Sequence, residues 1–296
     1  MDPRPPEGLL RRAILPVVVV VGLVIAGIMV VTAQPTVLFE AEGAFGPVRV
    51  LERPDGLREL YIGEGRSRQS AVYPKVPRRL VLEYTRVAMI GPALVAPDAR
   101  VLFVGLGGGA MPGYLQRVRP ELRMEAVEID PVVVDAARAH FGLSTGSRLQ
   151  VHIGDGRRFV EAAEPGRWDL IVLDAFSDTD IPPALTTRQF LEAVRRALAP
   201  DGFVVGNLPT SADEYAAMVA TYRTVFPSVA RLEVARRLQH VVLASPLPDA
   251  LGDERLAAAA AAWPDPERAG FDLSAVVSGA RVLDEPPAAA VLEDGG

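Results

Sequence analysis

The chain has 296 residues, 49% apolar and 23% charged, with a net charge of −6 and no cysteine. That composition leaves room for one large or two modest domains with a real core. It excludes a disordered chain, disulfides and thiolate chemistry, and gives no reason to expect nucleic acid as a partner. His140, His152 and His240 stand far apart without ligand spacing, so no zinc site built on imidazole is expected.

Residues 1–12 read as a short tail carrying Arg4, Arg11 and Arg12. Residues 13–33, AILPVVVVVGLVIAGIMVVTA, carry no charge, and about twenty apolar residues suffice to cross a bilayer as a helix. The expectation is a membrane protein with an uncleaved single-pass anchor. The competing reading is a cleaved signal peptide, since Val31-Thr32-Ala33 ends in small residues, although the run exceeds the roughly 7–15 apolar residues of a signal core. The leading arginines favour a cytoplasmic N-terminus; Arg49 and Arg53 weaken that bias, and the side on which the rest lies stays open.

Residues 34–85 read as a small β domain with a linker. TVLFEAE, PVRVLER and LRELYIG are β-rich runs, separated by the turn signals GAFGP and RPDG, and predict about three strands. The next stretch, GRSRQSAVYPKVPRR (65–79), carries Arg66, Arg68, Lys75, Arg78 and Arg79 and reads as a solvated or membrane-facing loop rather than an anion site. LVLEYTRVAMIGPAL has helical spacing.

Over residues 86–250 strands alternate with helices. The strands are VLFVGL (101–106), MEAVEID (124–130), LQVHIG (149–154), LIVLDAF (170–176) and FVVGNL (203–208). Helical stretches such as PVVVDAARAHF and TTRQFLEAVRRAL lie between them. This pattern predicts an open, mostly parallel α/β sheet of Rossmann-like type, with RLQHVVLASP adding a final strand. Residues 251–296 read as one helix over the alanine run and a loosely packed end.

Chemistry-bearing residues recur at the carboxyl ends of these strands, where ligands of open α/β sheets bind. The first strand runs into Gly105, Gly107, Gly108 and Gly109, which permit a tight turn and close approach to a ligand. The second reaches Glu128, 23 residues after Gly105, where a carboxylate can accept both hydroxyls of a ribose. The third ends in Gly154-Asp155-Gly156, an acid suited to an adenine amino group, and the fourth in Asp174. Each acid alone could merely cap a helix; four strand ends in register point to a nucleoside. No Walker sequence is present. Without phosphate-binding features, an adenosyl sulfonium fits better than a redox dinucleotide.

VLFVGLGGGA, the VEID around Glu128, the IGDG around Asp155 and WDLIVLDAF with downstream LTTRQF together resemble the spermidine synthase family, the polyamine aminopropyltransferases, over about residues 37–245. The resemblance implies a small β domain ahead of a methyltransferase-type sheet. It implies aminopropyl transfer from decarboxylated S-adenosylmethionine to an amine such as putrescine, with no tightly bound cofactor. Glu128 would bind the ribose, Asp155 with Gly156 the adenine, Gln69 the donor, and Gly105, Gly107 and Gly109 would form the backbone cradle. Asp174 would be catalytic. Asp178 and Asp180 could hold a second ammonium of a diamine, or simply shape the turn before Pro182 and Pro183. The family commonly forms dimers or tetramers, so the resemblance leaves a homodimer among the oligomeric states open to this chain.

Two features depart from the family. Its glycine loop carries an acid where this chain has Gly108, and its second acid after the fourth strand, followed by Pro-x-Gly-Pro, is displaced here to Asp178. Loss of the loop acid removes a group that would repel the carboxylate of intact S-adenosylmethionine. A methyltransferase using that donor is therefore the rival reading, and a catalytically degenerate membrane-anchored binding module is a third.

Overall fold

A computed structural model describes residues 34–64, 67–177, 180–210, 214–234, 239–264, 270–277, 279–283 and 289–295. Short β-rich runs at the start form β1 (Thr36–Gly43), β2 (Gly46–Glu52), β3 (Arg58–Ile62) and β4 (Arg68–Val72), an antiparallel meander in that order. Alternation puts Val48, Val50, Leu60 and Ile62 on one face, where they pack against Val133 and Ala136 of the helix Pro131–His140 and against Phe141, which follows it. Asp130 caps that helix, Oδ1 accepting from the Val132 N–H at 2.8 Å, while Oδ2 accepts the Ala44 N–H at 2.8 Å. One buried carboxylate thus ties the β1–β2 turn to the larger sheet.

That sheet contains β5 (Arg100–Val104), β6 (Arg123–Glu128), β7 (Leu149–Ile153), β8 (Trp168–Leu173), β9 (Leu198–Pro209), β10 (Ser228–Glu233), β11 (Gln239–Ser245) and β12 (Ala280–Val282). Their spatial order is β12-β10-β11-β9-β8-β5-β6-β7. Strands β5 to β9 run parallel, and β10, β11 and β12 join antiparallel. Val101 and Phe103 bury into one face and Leu102 and Val104 into the other. Helices cover both faces, so the strands read as continuous apolar runs rather than as alternation. The chain builds outward from β5 through β6 to β7, then returns to place β8 on β5's other side. The crevice beyond β5 and β8 is the switch point of the sheet.

Several expectations need correction. The small domain has four strands, because β4 forms inside the stretch read as a basic loop. Arg68 of β4 joins Arg53 in pairing with buried Glu59, at 2.6 and 2.7 Å. The helical stretch after it is two short helices, Glu83–Ala88 and Ile90–Leu94, that meet at Met89. Strands β10 and β12 extend the sheet, and residues 291–294, read as a loose end, dock on the molecule.

The expected membrane span, residues 13–33, lies outside the described residues. No helix among the described residues is long and apolar enough to cross a membrane. The longest, Tyr215–Val225, has 11 residues; at about 1.5 Å per residue it is far short of a hydrocarbon core about 30 Å thick. The assignment as a single-pass membrane protein, and the membrane localisation drawn from it, are corrected accordingly.

Candidate active site

Four strand ends converge on one pocket of about 880 Å³. From β5 the chain turns through Gly105 to Gly109 into the helix Ala110–Val118. Gly105 has φ 91°, and a Cβ there would lie 2.3 Å from the Asp174 carbonyl oxygen. Only glycine satisfies both the left-handed backbone and that approach, so the residue lets the ends of β5 and β8 close together.

Glu128 finishes β6 and turns back onto the glycine loop. Its Oε2 accepts the Leu106 N–H at 2.9 Å and the Gly107 N–H at 3.4 Å; Oε1 accepts the Asp130 N–H at 3.2 Å. Burial pushes its pKa up and outweighs the three backbone donors that pull it down. Beside it Ile129, 44% exposed, offers the pocket an apolar surface. Asp155, exposed after β7, caps the helix Gly156–Glu161 through the Arg158 N–H at 2.9 Å and also lines the pocket.

Asp174 stands directly after β8, its N–H donating to the Val104 carbonyl at 2.9 Å. Two side chains hold its carboxylate. The Tyr84 hydroxyl donates to Oδ2 at 3.0 Å from 90 residues upstream, and the Asn207 Nδ2 donates to Oδ1 at 2.9 Å from 33 residues downstream. Burial raises the Asp174 pKa above its ordinary value, against the lowering effect of both donors. Burial, with the Asp174 charge second, lifts the Tyr84 pKa well above the usual tyrosine range, so Tyr84 remains a donor. The Asn207 Oδ1 is buried without a hydrogen-bond partner.

The pocket brings together Gln69, Gly105, Gly107, Glu128, Asp155, Gly156 and Asp174. Gly109 is not among its lining residues: with φ 68° it starts a helix, and a Cβ there would meet Leu143 at 2.6 Å. Asp180 is exposed and outside the lining, its carbonyl accepting the Ser177 N–H at 3.0 Å. That geometry matches a turn. Asp178 lies outside the described residues. Gly108 is hemmed in: a Cβ would come within 2.7 Å of Ser70 Oγ and 2.8 Å of Phe141 Cδ1. The space an acid would need is filled by neighbouring side chains.

Sequence reasoning missed Tyr84, Asn207, Ile129 and Phe45, all of which line the pocket. Asn207 had a signal, as the one polar residue in the apolar run FVVGNL. Tyr84 falls within the stretch LVLEYTRVAMIGPAL of helical spacing, and no local pattern pairs it with Asp174. Among the described residues no group of three or more acids or histidines is placed to hold a metal ion.

Comparison with known proteins is consistent across sequence and fold. The family model described as "Spermine/spermidine synthase domain" matches residues 87–234. The polyamine aminopropyltransferase of Vibrio vulnificus is 31% identical over 218 residues, covering 72% of this chain and 73% of the relative. A probable spermidine synthase from Corynebacterium glutamicum shares the fold, with TM-score 0.70 and 20% identity over 87% of this chain and 96% of that one. The human methyltransferase-like protein 13, solved in complex with SAH, superposes with TM-score 0.55 and 26% identity, covering 69% of this chain and 96% of that one.

Proposed function

This chain belongs to the spermine/spermidine synthase family, and we propose that it moves an aminopropyl group from decarboxylated S-adenosylmethionine to an amine acceptor of the putrescine kind. The enzyme is a transferase whose adenosyl donor is a co-substrate rather than a resident cofactor. The observation that carries the residue assignment is Asp174, a carboxylate of raised pKa fixed by Tyr84 and Asn207 at the sheet's switch point.

The acceptor amine arrives as an ammonium with a pKa of about 10 and must lose a proton to become a nucleophile. In this reading Asp174 attracts the ammonium, orients it and accepts the proton; its raised pKa makes it a stronger base than a solvated aspartate. The freed nitrogen attacks the aminopropyl carbon bonded to the sulfonium. A C–N bond forms as the C–S bond breaks, its electron pair passes to sulfur, and a neutral thioether nucleoside leaves. Glu128 would receive the ribose hydroxyls, with Asp155 and Gly156 at the adenine and Ile129 giving the base an apolar surface. Gln69 and the amides of Gly105 and Gly107 would flank the donor. A homodimer is the finer expectation carried by the family, and sedimentation of the purified chain checks it.

Methyl transfer is the second reading, and Gly108 favours it. With no loop acid at that position, nothing there repels the carboxylate of intact S-adenosylmethionine. Melting the protein with each donor separates the two. A ligand at 100 times its dissociation constant adds about 2.7 kcal/mol, a shift that is readily measured. A larger shift with the decarboxylated donor, followed by transfer to a diamine, supports aminopropyl transfer. A larger shift with the intact donor assigns methyl transfer, and no shift with either removes the nucleoside reading.

A further inference from the structure

Arg157 follows Gly156 on the pocket's nucleoside side, yet its contacts lead elsewhere. Its Nη1 and Nη2 donate to the two carboxylate oxygens of Asp294 at 2.7 and 2.5 Å, and its Nε to Glu161 at 2.7 Å. Nη1 also reaches the Ala184 carbonyl at 3.1 Å and Thr187 Oγ1 at 3.4 Å. Ala184 lies in the 3-10 turn Pro183–Leu185, which lines the pocket. The segment that supplies Asp294 is held at five further points, one of them the Asp294 N–H donating to Gln189 Oε1 at 3.1 Å. The Leu292 carbonyl accepts the Arg188 N–H at 2.8 Å, and the Leu292 N–H donates to Thr221 Oγ1 at 3.0 Å. Glu293 pairs with Arg188 at 2.8 and 3.0 Å and accepts from Gln189 at 2.6 Å.

We propose that Leu292–Asp294 is a positioning strap for the pocket: through Arg157 it clamps the turn Pro183–Leu185 to the helix that begins at Gly156, and so sets the pocket wall where the two meet. Two physical consequences follow. The strap neutralises an arginine at the rim of a site read as taking cations; without Asp294 that charge faces an incoming ammonium with less compensation. The strap also answers to salt rather than to acidity, because hydrogen bonding from Arg157 holds the Asp294 carboxyl down at about 2, below any ordinary working pH. Arg157 and Asp294 are positioning residues, since neither is assigned contact with the reacting atoms.

This inference rests on the aminopropyl-transfer reading for its kinetic arm alone. The test compares the wild type with Asp294→Asn and Asp294→Glu by amide hydrogen exchange and by amine kinetics. Asp294→Asn is expected to speed exchange of the Leu185 and Thr186 amides about tenfold. The amine KM should rise about fivefold while kcat stays within about twofold, a scale set by a partly exposed ion pair. Asp294→Glu should recover most of both effects. Raising salt should increase the wild-type KM more steeply than that of Asp294→Asn, whose pair is already gone. Unchanged exchange and KM in Asp294→Asn would overturn the strap, as would a lowered melting temperature with neither effect. If the wild type transfers no aminopropyl group at all, the functional reading fails, and the exchange measurement still decides the strap.

Discussion

Two half-buried carboxylates line the pocket on either side of β5, both with raised pKa, and they are held differently. Glu128 is fixed by three backbone N–H groups within 22 residues of it. Asp174 is fixed by two side chains, Tyr84 and Asn207, recruited from 90 and 33 residues away. A carboxylate gripped by main chain is built wherever the strand–loop–strand pattern folds, whatever reaction the site performs. A carboxylate gripped by side chains can be tuned residue by residue. The hold on Glu128 is therefore generic to the sheet, whereas the hold on Asp174 depends on two particular side chains, which accords with one fold being shared by a probable spermidine synthase and a methyltransferase-like protein.

The largest expected effect falls on Asp174 alone. Asp174→Asn should lower turnover by about 10²–10⁴-fold, the usual worth of a positioned general base, while donor affinity measured by calorimetry stays within about threefold of the wild type on the order of one hydrogen bond or less. Wild-type turnover in this variant would remove Asp174 from catalysis. Glu128 should respond in the opposite sense. Glu128→Gln weakens charge-assisted bonds worth about 1.5–3 kcal/mol, so the donor Kd should rise about 10- to 100-fold. Unchanged donor affinity would sink the ribose assignment.

The same contrast explains what a reader of the sequence could see. The glycine loop, Glu128, Asp155 and Asp174 each end a strand, so period and punctuation reveal them, and the parallel order of β5 to β9 follows from the alternation with helices. Tyr84 and Asn207 reach Asp174 only because the sheet brings β8 and β9 together beneath the helix Glu83–Ala88. That is a tertiary event with no local signature. Strand β4 was hidden for a related reason: its five residues include Arg68, whose charge is satisfied by a buried glutamate on β3 rather than by water. Residues 291–294 looked loose because Leu292, Glu293 and Asp294 have their partners on distant helices.

A smaller effect sharpens the comparison by loosening Asp174 without removing it. Tyr84→Phe deletes a donor that favours the ionised carboxylate, so the Asp174 pKa should rise further. Activity depends on the ionised form, so the acidic limb of the kcat/KM profile should move to higher pH. The drop in kcat at its plateau should be about tenfold, near the lower end for a hydrogen bond to a charge. A limb that stays in place would mean that Tyr84 does not tune the base.

The smallest effect is thermodynamic and concerns what the Asp174 site costs the fold. The folded-state pKa of Asp174 lies above its unfolded value because burial disfavours the charge. The carboxyl therefore contributes fully to stability below the unfolded pKa, near 3.9, and that contribution is lost as pH rises through the higher folded value. Asp174→Asn does not titrate. Its side chain can keep one donor bond, and a rotated Asn207 amide can turn the unpartnered Oδ1 toward the new N–H. The variant should thus melt close to the wild type in acid and above it at neutral pH, by about 2–4 °C on the scale of 1 kcal/mol in a domain this size. Adding the amine should narrow that gap, because a bound ammonium compensates the wild-type carboxylate and has no charge to meet in the variant. A variant less stable than the wild type at neutral pH would mean that Asp174 is held chiefly for the fold.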